Sequence, residues 1–94
     1  MRVEWAREAL NDLDRAVEYI AQDKPGAARE VAQRILNATR KLANHPGLGR
    51  PGRVLGTREL VIAGLPYLAP YVIREDRIVS LRILHGAMKW PPTS

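Results

Sequence analysis

The 94-residue sequence contains no cysteine, which excludes disulfide bonds and thiolate metal sites. It has no apolar run of about 18 residues, the length that a membrane-spanning helix needs. Residues 1–10 lack the apolar core of a secretory signal peptide. A chain of this length holds one modest hydrophobic core. These absences predict one soluble, cytoplasmic domain over residues 1–94, with no membrane segment.

The short motifs that mark common cofactor-dependent and metal-dependent enzymes are also missing. The sequence contains no HExxH, no P-loop, no GxGxxG and no GxSxG. The two histidines, His45 and His85, have no second ligand at a spacing typical of a metal site. We therefore expect neither a cofactor nor a metal ion.

Positive charge is concentrated in the second half of the chain. The formal net charge is +5, from 15 basic residues against 10 acidic ones. Residues 1–46 hold eight basic and seven acidic residues, whereas residues 47–94 hold seven basic and three acidic. Six of those seven are arginine, which suits bidentate contact with phosphate or carboxylate. The composition indicates an anionic partner, RNA or an acidic protein; the alternative is charge that serves only solubility.

The first half of the chain has the pattern of one strand followed by two helices. Residues 2–5 alternate polar and apolar, as in a short strand. Over residues 6–22, apolar side chains recur three or four positions apart, as on one face of a helix. Pro25 suits the first turn of a second helix, which is expected to end near Asn44. The short break between the two predicts an antiparallel helical hairpin. The apolar stripes are Leu10, Leu13, Val17 and Ile20, then Ala28, Val31, Ile35, Ala38 and Leu42.

The second half predicts a three-stranded antiparallel meander. Turn residues separate three runs rich in Val, Ile, Leu and Tyr, at Arg58–Ile62, Tyr67–Arg74 and Arg77–His85. Residues 45–56 contain four Gly and two Pro and form a loop that leads into the meander. Pro70 cannot donate to a sheet, so we expect a bulge near it. The predicted fold is α+β, with the helical hairpin packed on a small, largely antiparallel sheet.

The turn lengths predict the register of the meander. A two-residue loop at 75–76 places Val72 opposite Val79, and a four-residue loop before it places Arg58 opposite Tyr71. One face of the sheet is then expected to form the core, and the other a polar, cationic surface. The predicted core face holds Val61, Leu68, Val72, Val79, Leu81 and Ile83, and the predicted outer face holds Arg58, Leu60, Ala69, Tyr71, Ser80 and Arg82.

These residues suggest a site for metal-independent cleavage of RNA. Such cleavage needs cations on the scissile phosphate and a group that moves a proton. Arg58 and Arg82, assisted by Lys89, are the candidate cations, and His85 is the candidate for proton transfer. The alternative is that His85 is structural and that the aromatic residues cap the core. The predicted binding surface adds Arg50, Arg53 and Arg74, with Tyr71 and Trp90 as residues on which bases stack.

The order of elements and many residues resemble the RelE/ParE superfamily of toxins from bacterial type II toxin–antitoxin modules. The resemblance covers essentially the whole chain and rests on an ordered set of residues, not on one motif. That set comprises Val3-Glu4-Trp5, Ala9–Asp14, Tyr19-Ile20-Ala21, Pro25, Ala27-Ala28, Leu42, Pro46, Gly49-Arg50, Gly56-Thr57-Arg58-Glu59-Leu60, Pro66-Tyr67, Tyr71 and Arg82-Ile83-Leu84-His85-Gly86.

The resemblance implies a growth-inhibiting toxin that acts in one of two ways. RelE-like members cleave mRNA in the ribosomal A site, and ParE-like members poison DNA gyrase without nuclease activity. The lysine pair typical of RelE is absent, since Glu59 and Val61 stand at those positions. Members of both kinds carry a histidine at the position of His85. The presence of His85, Arg58 and Arg82 slightly favours a ribosome-dependent mRNA endonuclease, with a gyrase inhibitor as the alternative.

The resemblance also implies a cognate antitoxin as partner. The net positive charge favours an acidic antitoxin segment that is partly disordered and folds on binding. We expect it to dock on the outer surface of the helical hairpin, in the groove beside it, or on an exposed sheet edge.

Overall fold

The computed structural model describes residues 1–86, 90 and 91 of the chain. The strands are β1 (Arg2–Trp5), β2 (Arg50–Pro51), β3 (Arg58–Val61), β4 (Tyr67–Ile73), β5 (Arg77–Ser80) and β6 (Leu84–His85). The helices are α1 (Arg7–Ala21) and α2 (Pro25–Arg40), and a 3-10 turn follows at Lys41–Ala43. The predicted α+β fold is confirmed.

The two helices form the predicted hairpin, and local chemistry sets where they begin. Ala6 is extended, and its carbonyl accepts hydrogen bonds from the amides of Ala9 and Leu10 at the start of α1. Pro25 occupies the first turn of α2, where its missing N–H has no helical partner to lose. Leu10 is 50% exposed, because the buried line of α1 runs through Ala9 and Leu13 instead. In the described part of the chain, neither helix combines the length and apolar character needed to cross a lipid bilayer.

The strands form one mixed sheet in the order β1-β5-β4-β3-β2, with β6 also paired to β4. β1 runs parallel to β5, and the other neighbours are antiparallel. The register predicted for the meander is confirmed, since Arg58 pairs with Tyr71 and Val72 with Val79. The helices then cover one face of this sheet.

The last predicted strand, Arg77–His85, is interrupted by a β-bulge. β5 ends at Ser80 and β6 begins at Leu84, so the three residues 81–83 stand opposite two residues of β4. Pro70 explains the position of the bulge. Its carbonyl accepts a hydrogen bond from the amide that follows β5, but proline has no N–H to donate in return. The bulge expected near Pro70 therefore lies in the strand beside it.

The bulge changes the face on which the following side chains lie. Regular alternation from Ser80 would place Ile83 and His85 on the opposite face of the sheet. The extra residue reverses this, so Ile83 joins the core beneath the helices and His85 pairs with Tyr67. The direction of His85 therefore depends on the bulge.

The predicted assignment of the sheet faces is wrong, although the register is right. The helices cover the face expected to be outer and cationic, and Val61, expected in the core, is 54% exposed. Leu68 and Val72 on the other face are also buried. Because β4 is apolar on both faces, its sequence does not indicate which face the helices cover. The core cluster comprises Ile35, Leu42, Leu60, Ile62, Ala69, Tyr71, Ile78 and Ile83.

Candidate functional site

A shielded ion pair ties the β-bulge to α1. The Asp12 carboxylate accepts hydrogen bonds from Arg82, at 2.7 Å from Nε and 3.1 Å from Nη2. It also accepts one from the backbone amide of Ile83 at 3.0 Å. The Asp12 and Arg82 side chains are only 8% and 23% exposed. This arrangement, the Asp12–Arg82 clamp, fixes both the bulge and the orientation of Arg82.

The clamp also determines the charge state of Arg82. Hydrogen bonding to Asp12 raises the pKa of Arg82 above its ordinary value, because it favours the charged guanidinium. Partial burial opposes this shift, and the negative charges of Asp12 and Glu8 add to it. Arg82 is therefore a permanent cation whose Nε and Nη2 donors point at Asp12. The expectation that it stands on an uncovered sheet face is wrong.

An open cavity of about 360 Å³ lies beside the clamp, between α1 and the end of the sheet. We call it the α1 groove. His85 and Tyr67 form part of its wall, with their rings edge to face and centroids 5.8 Å apart. Tyr19, which is 75% exposed, lines it from α1. Its lining comprises Asp12, Arg15, Ala16, Tyr19, Tyr67, Arg82, Ile83 and His85. Two of the three predicted catalytic residues, Arg82 and His85, therefore share one cavity.

A second group of charges lies on the hairpin formed by β2 and β3. The side chain of Glu59 is 1% exposed, and its carboxylate lies 3.2 Å from Arg50 Nη2 and 3.7 Å from Arg53 Nε. The backbone amide of Arg53 donates to the same carboxylate at 2.9 Å. Two of the predicted binding arginines are therefore partly neutralised by one internal carboxylate.

Arg58 and Tyr71 hold the loop that precedes β2. The Arg58 guanidinium donates to the carbonyl oxygens of Gly49 at 2.7 Å and Gly47 at 3.4 Å. The Tyr71 hydroxyl donates to the Pro46 carbonyl at 2.7 Å and accepts from the Gly49 amide at 2.8 Å. Tyr71 is 0% exposed. The prediction that Tyr71 stacks on bases is wrong, because the helices cover its face of the sheet.

Arg58 and His85 lie far apart on the sheet. Arg58 pairs with Tyr71 and His85 with Tyr67, on opposite edges of β4. Four residues along the strand and two strand spacings across it separate them by about 16 Å. The predicted catalytic residues therefore do not converge on one phosphate group.

The remaining predicted contact residues are dispersed. Arg74 follows β4 at the turn into β5, at the opposite end of β4 from His85. The ring centroid of Trp90 lies 6.0 Å from the guanidinium carbon of Arg82, as in a cation–π contact. Lys89 lies outside the residues that the structure describes. Within the described ranges, no group of three His, Asp or Glu side chains is placed to hold a metal ion.

Two acidic residues that organise these clusters, Asp12 and Glu59, were not predicted as site residues. Glu59 gives one signal in the sequence, since a lone acid within an arginine-rich segment suggests an internal ion pair. Asp12 gives none, because its partner Arg82 lies 70 positions away in the chain.

Comparisons with known proteins identify relatives of this chain. The ParE toxin family, from the type II toxin–antitoxin system parDE, matches residues 3–90. Y4kP of Sinorhizobium fredii, a candidate toxin by name, is 44% identical over 90 residues, covering 96% of this chain and 93% of that protein. Toxin RelE2 of Caulobacter vibrioides is 36% identical over 86 residues, covering 92% of this chain and 96% of that protein. A solved structure of a chromosomal ParDE toxin–antitoxin system from P. aeruginosa matches with a TM-score of 0.83 at 31% identity, covering 90% of this chain and 95% of the matched chain.

Proposed function

This chain belongs to the ParE toxin family of type II toxin–antitoxin systems, and we propose that it inhibits growth by binding DNA gyrase, without a nuclease step. This choice replaces the slight preference for mRNA cleavage that the sequence alone suggested. One observation carries it. In the described part of the chain, the cations that RNA cleavage would need are dispersed and bound to other protein groups.

The state of Arg82 and Arg58 argues against a phosphate site. A phosphate that takes the donors of Arg82 must displace Asp12 from a shielded pair, and breaking this partly exposed pair costs about 2–3 kcal/mol. Arg58 already donates to two backbone carbonyls. Neither side chain is therefore poised to stabilise charge that develops on a scissile phosphate.

Arg50 and Arg53, on the hairpin formed by β2 and β3, are also poorly suited to binding RNA. The buried Glu59 carboxylate lies within 4 Å of Arg50 and Arg53, and it offsets one of their two positive charges. A protein surface that carries both hydrogen-bond donors and acceptors matches this mixture of guanidinium groups and a carboxylate better than RNA does. Inhibition by protein binding requires no proton transfer, so it does not depend on His85.

The second candidate function is the ribosome-dependent mRNA endonuclease. It is favoured by the shared position of Arg82 and His85 in the α1 groove. In that case His85 would transfer the proton, and its removal would abolish activity. The two functions therefore differ in what they require of His85.

Family membership also gives this toxin a cognate antitoxin as partner. We place an acidic antitoxin helix in the α1 groove. Tyr19 offers an exposed aromatic ring, and the Arg15 side chain is 74% exposed on the same side of α1. An amphipathic helix that folds on binding could insert apolar side chains there and present carboxylates to Arg15.

The test is induction of the wild-type toxin and His85→Gln in growing cells, with His45→Gln as the matched control because His45 is exposed and does not line the groove. Thermal melting checks that each variant folds. We expect all three proteins to arrest growth while translated mRNA stays intact. Cuts at codon boundaries that disappear in His85→Gln would contradict the gyrase proposal and favour the nuclease.

A further inference from the structure

The loop between β2 and β3 carries the most exposed large apolar side chain in the described part of the chain. We call residues 52–57 the Leu55 loop. Leu55 is 99% exposed, whereas Tyr19 is 75% exposed and the others less. A single exposed leucine is common on protein surfaces, so the exposure alone has no functional meaning. What distinguishes Leu55 is how firmly its loop is held.

Hydrogen bonds across the base fix the conformation of the Leu55 loop. The amide of Gly52 donates to the carbonyl of Thr57 at 2.8 Å. Thr57 donates twice to the carbonyl of Val54, from its amide at 3.1 Å and its hydroxyl at 2.6 Å. Gly56 adopts a left-handed backbone, with φ 85°, which favours glycine. The loop is therefore preorganised and holds Leu55 in a defined position.

Glu59 supports the Leu55 loop from the sheet. Its buried carboxylate accepts the amide hydrogen bond of Arg53, two residues before Leu55. The side chains of Arg53 and Arg50 remain 43% and 55% exposed. One internal acid thus holds the loop in place, while Arg53 in the loop and Arg50 just before it remain accessible.

We propose that Leu55 anchors the toxin in a preformed apolar pocket, rimmed by carboxylates, on the folded protein that it inhibits. A leucine held out from a rigid loop is buried most fully in a preformed pocket, and a disordered antitoxin segment has no pocket before it folds. The antitoxin instead suits the concave α1 groove. A preorganised loop loses little conformational entropy on binding, and Arg50 and Arg53 complement carboxylates at the pocket rim. The proposal rests on the proposed function in one respect, that the target is a folded protein.

The experiment compares wild-type toxin with Leu55→Ser and with Leu48→Ser as the matched control. Leu48 is also exposed, at 54%, but lies before β2 and outside the loop. Leu55→Ser is expected to bind purified DNA gyrase about 30-fold more weakly, the equivalent of about 2 kcal/mol for burying a leucine. It should also arrest growth less, with unchanged melting midpoint and antitoxin affinity. Leu48→Ser should bind gyrase like the wild type.

If the wild-type toxin binds gyrase, two results would overturn the proposal. One is equal gyrase affinity and equal growth arrest for wild type and Leu55→Ser. The other is a loss of antitoxin affinity with unchanged arrest, since the loop would then be an antitoxin contact. If the wild-type toxin does not bind gyrase, gyrase is not the target. The proposal for Leu55 is then tested by growth arrest alone. Weaker arrest by Leu55→Ser then supports a pocket on another protein, and unchanged arrest overturns the proposal.

Discussion

The Asp12–Arg82 clamp yields a quantitative stability prediction. Replacing Asp12 with alanine removes the acceptor of three hydrogen bonds, two from Arg82 and one from the amide of Ile83. The Arg82 guanidinium would then remain largely shielded from water without its carboxylate partner. The backbone of the β-bulge would lose a hydrogen bond at the same time. Both losses act on the native state, so the variant should unfold more readily.

The magnitude follows from the burial of the pair. Breaking a buried ion pair by removing one partner costs about 3–5 kcal/mol. Because 23% of the Arg82 side chain stays in water, we expect a smaller loss, about 2–3 kcal/mol. In a domain of this size each kcal/mol shifts the melting midpoint by about 4–8 °C, so the midpoint should fall by roughly 10–20 °C.

Thermal and urea unfolding, followed by circular dichroism, measure the effect. Asp14→Ala is the matched control, because Asp14 lies on the exposed side of the same helix. It should change the free energy of unfolding by less than about 0.5 kcal/mol. A double variant, Asp12→Leu with Arg82→Met, should be more stable than Asp12→Ala, since apolar replacement removes the unpaired charge. If Asp12→Ala is as stable as Asp14→Ala, the clamp does not stabilise the fold.

Three further predictions follow from the same contacts. Tyr71→Phe should lose about 1–3 kcal/mol in urea unfolding, because the Gly49 amide loses its acceptor; Tyr19→Phe, at an exposed site, should not. Gly49→Ala should also destabilise, by about 1–3 kcal/mol, because its Cβ would lie 2.6 Å from the Tyr71 ring; a wild-type midpoint would show that the loop shifts freely. Calorimetric titration of toxin with antitoxin should show an affinity that falls as salt is added, because salt screens charges at the rim of the interface. The affinity should persist at high salt, because apolar anchors supply most of it. An affinity that does not change with salt would show that charge attraction does not contribute to antitoxin binding.

Much of the fold follows from patterns that the sequence displays directly. Helical spacing located α1 and α2 closely, and turn lengths correctly predicted the pairing of Arg58 with Tyr71. The buried face of the sheet could not be predicted, because β4 is apolar on both sides. Pro70 correctly indicated a bulge, but not that the bulge would fall in the neighbouring strand and redirect His85.

The candidate site was harder to predict, because the sequence shows charges but not their partners. The excess of arginine in the second half was visible in the composition. The partners of Arg82 and Arg58, a helix carboxylate and two loop carbonyls, depend on contacts between distant segments. The role of Tyr71 could not be predicted for the same reason. Its apolar neighbours in the strand do not indicate that its hydroxyl binds the loop before β2.

Two assays of the purified toxin together test the proposal that it inhibits DNA gyrase. One measures supercoiling of relaxed plasmid by DNA gyrase, and the other measures the integrity of mRNA in a purified translation reaction. We expect dose-dependent inhibition of gyrase by both wild type and His85→Gln, reversed by antitoxin, with mRNA intact throughout. Unaffected supercoiling, together with mRNA that the wild type cuts and His85→Gln does not, would contradict inhibition of gyrase without a nuclease step.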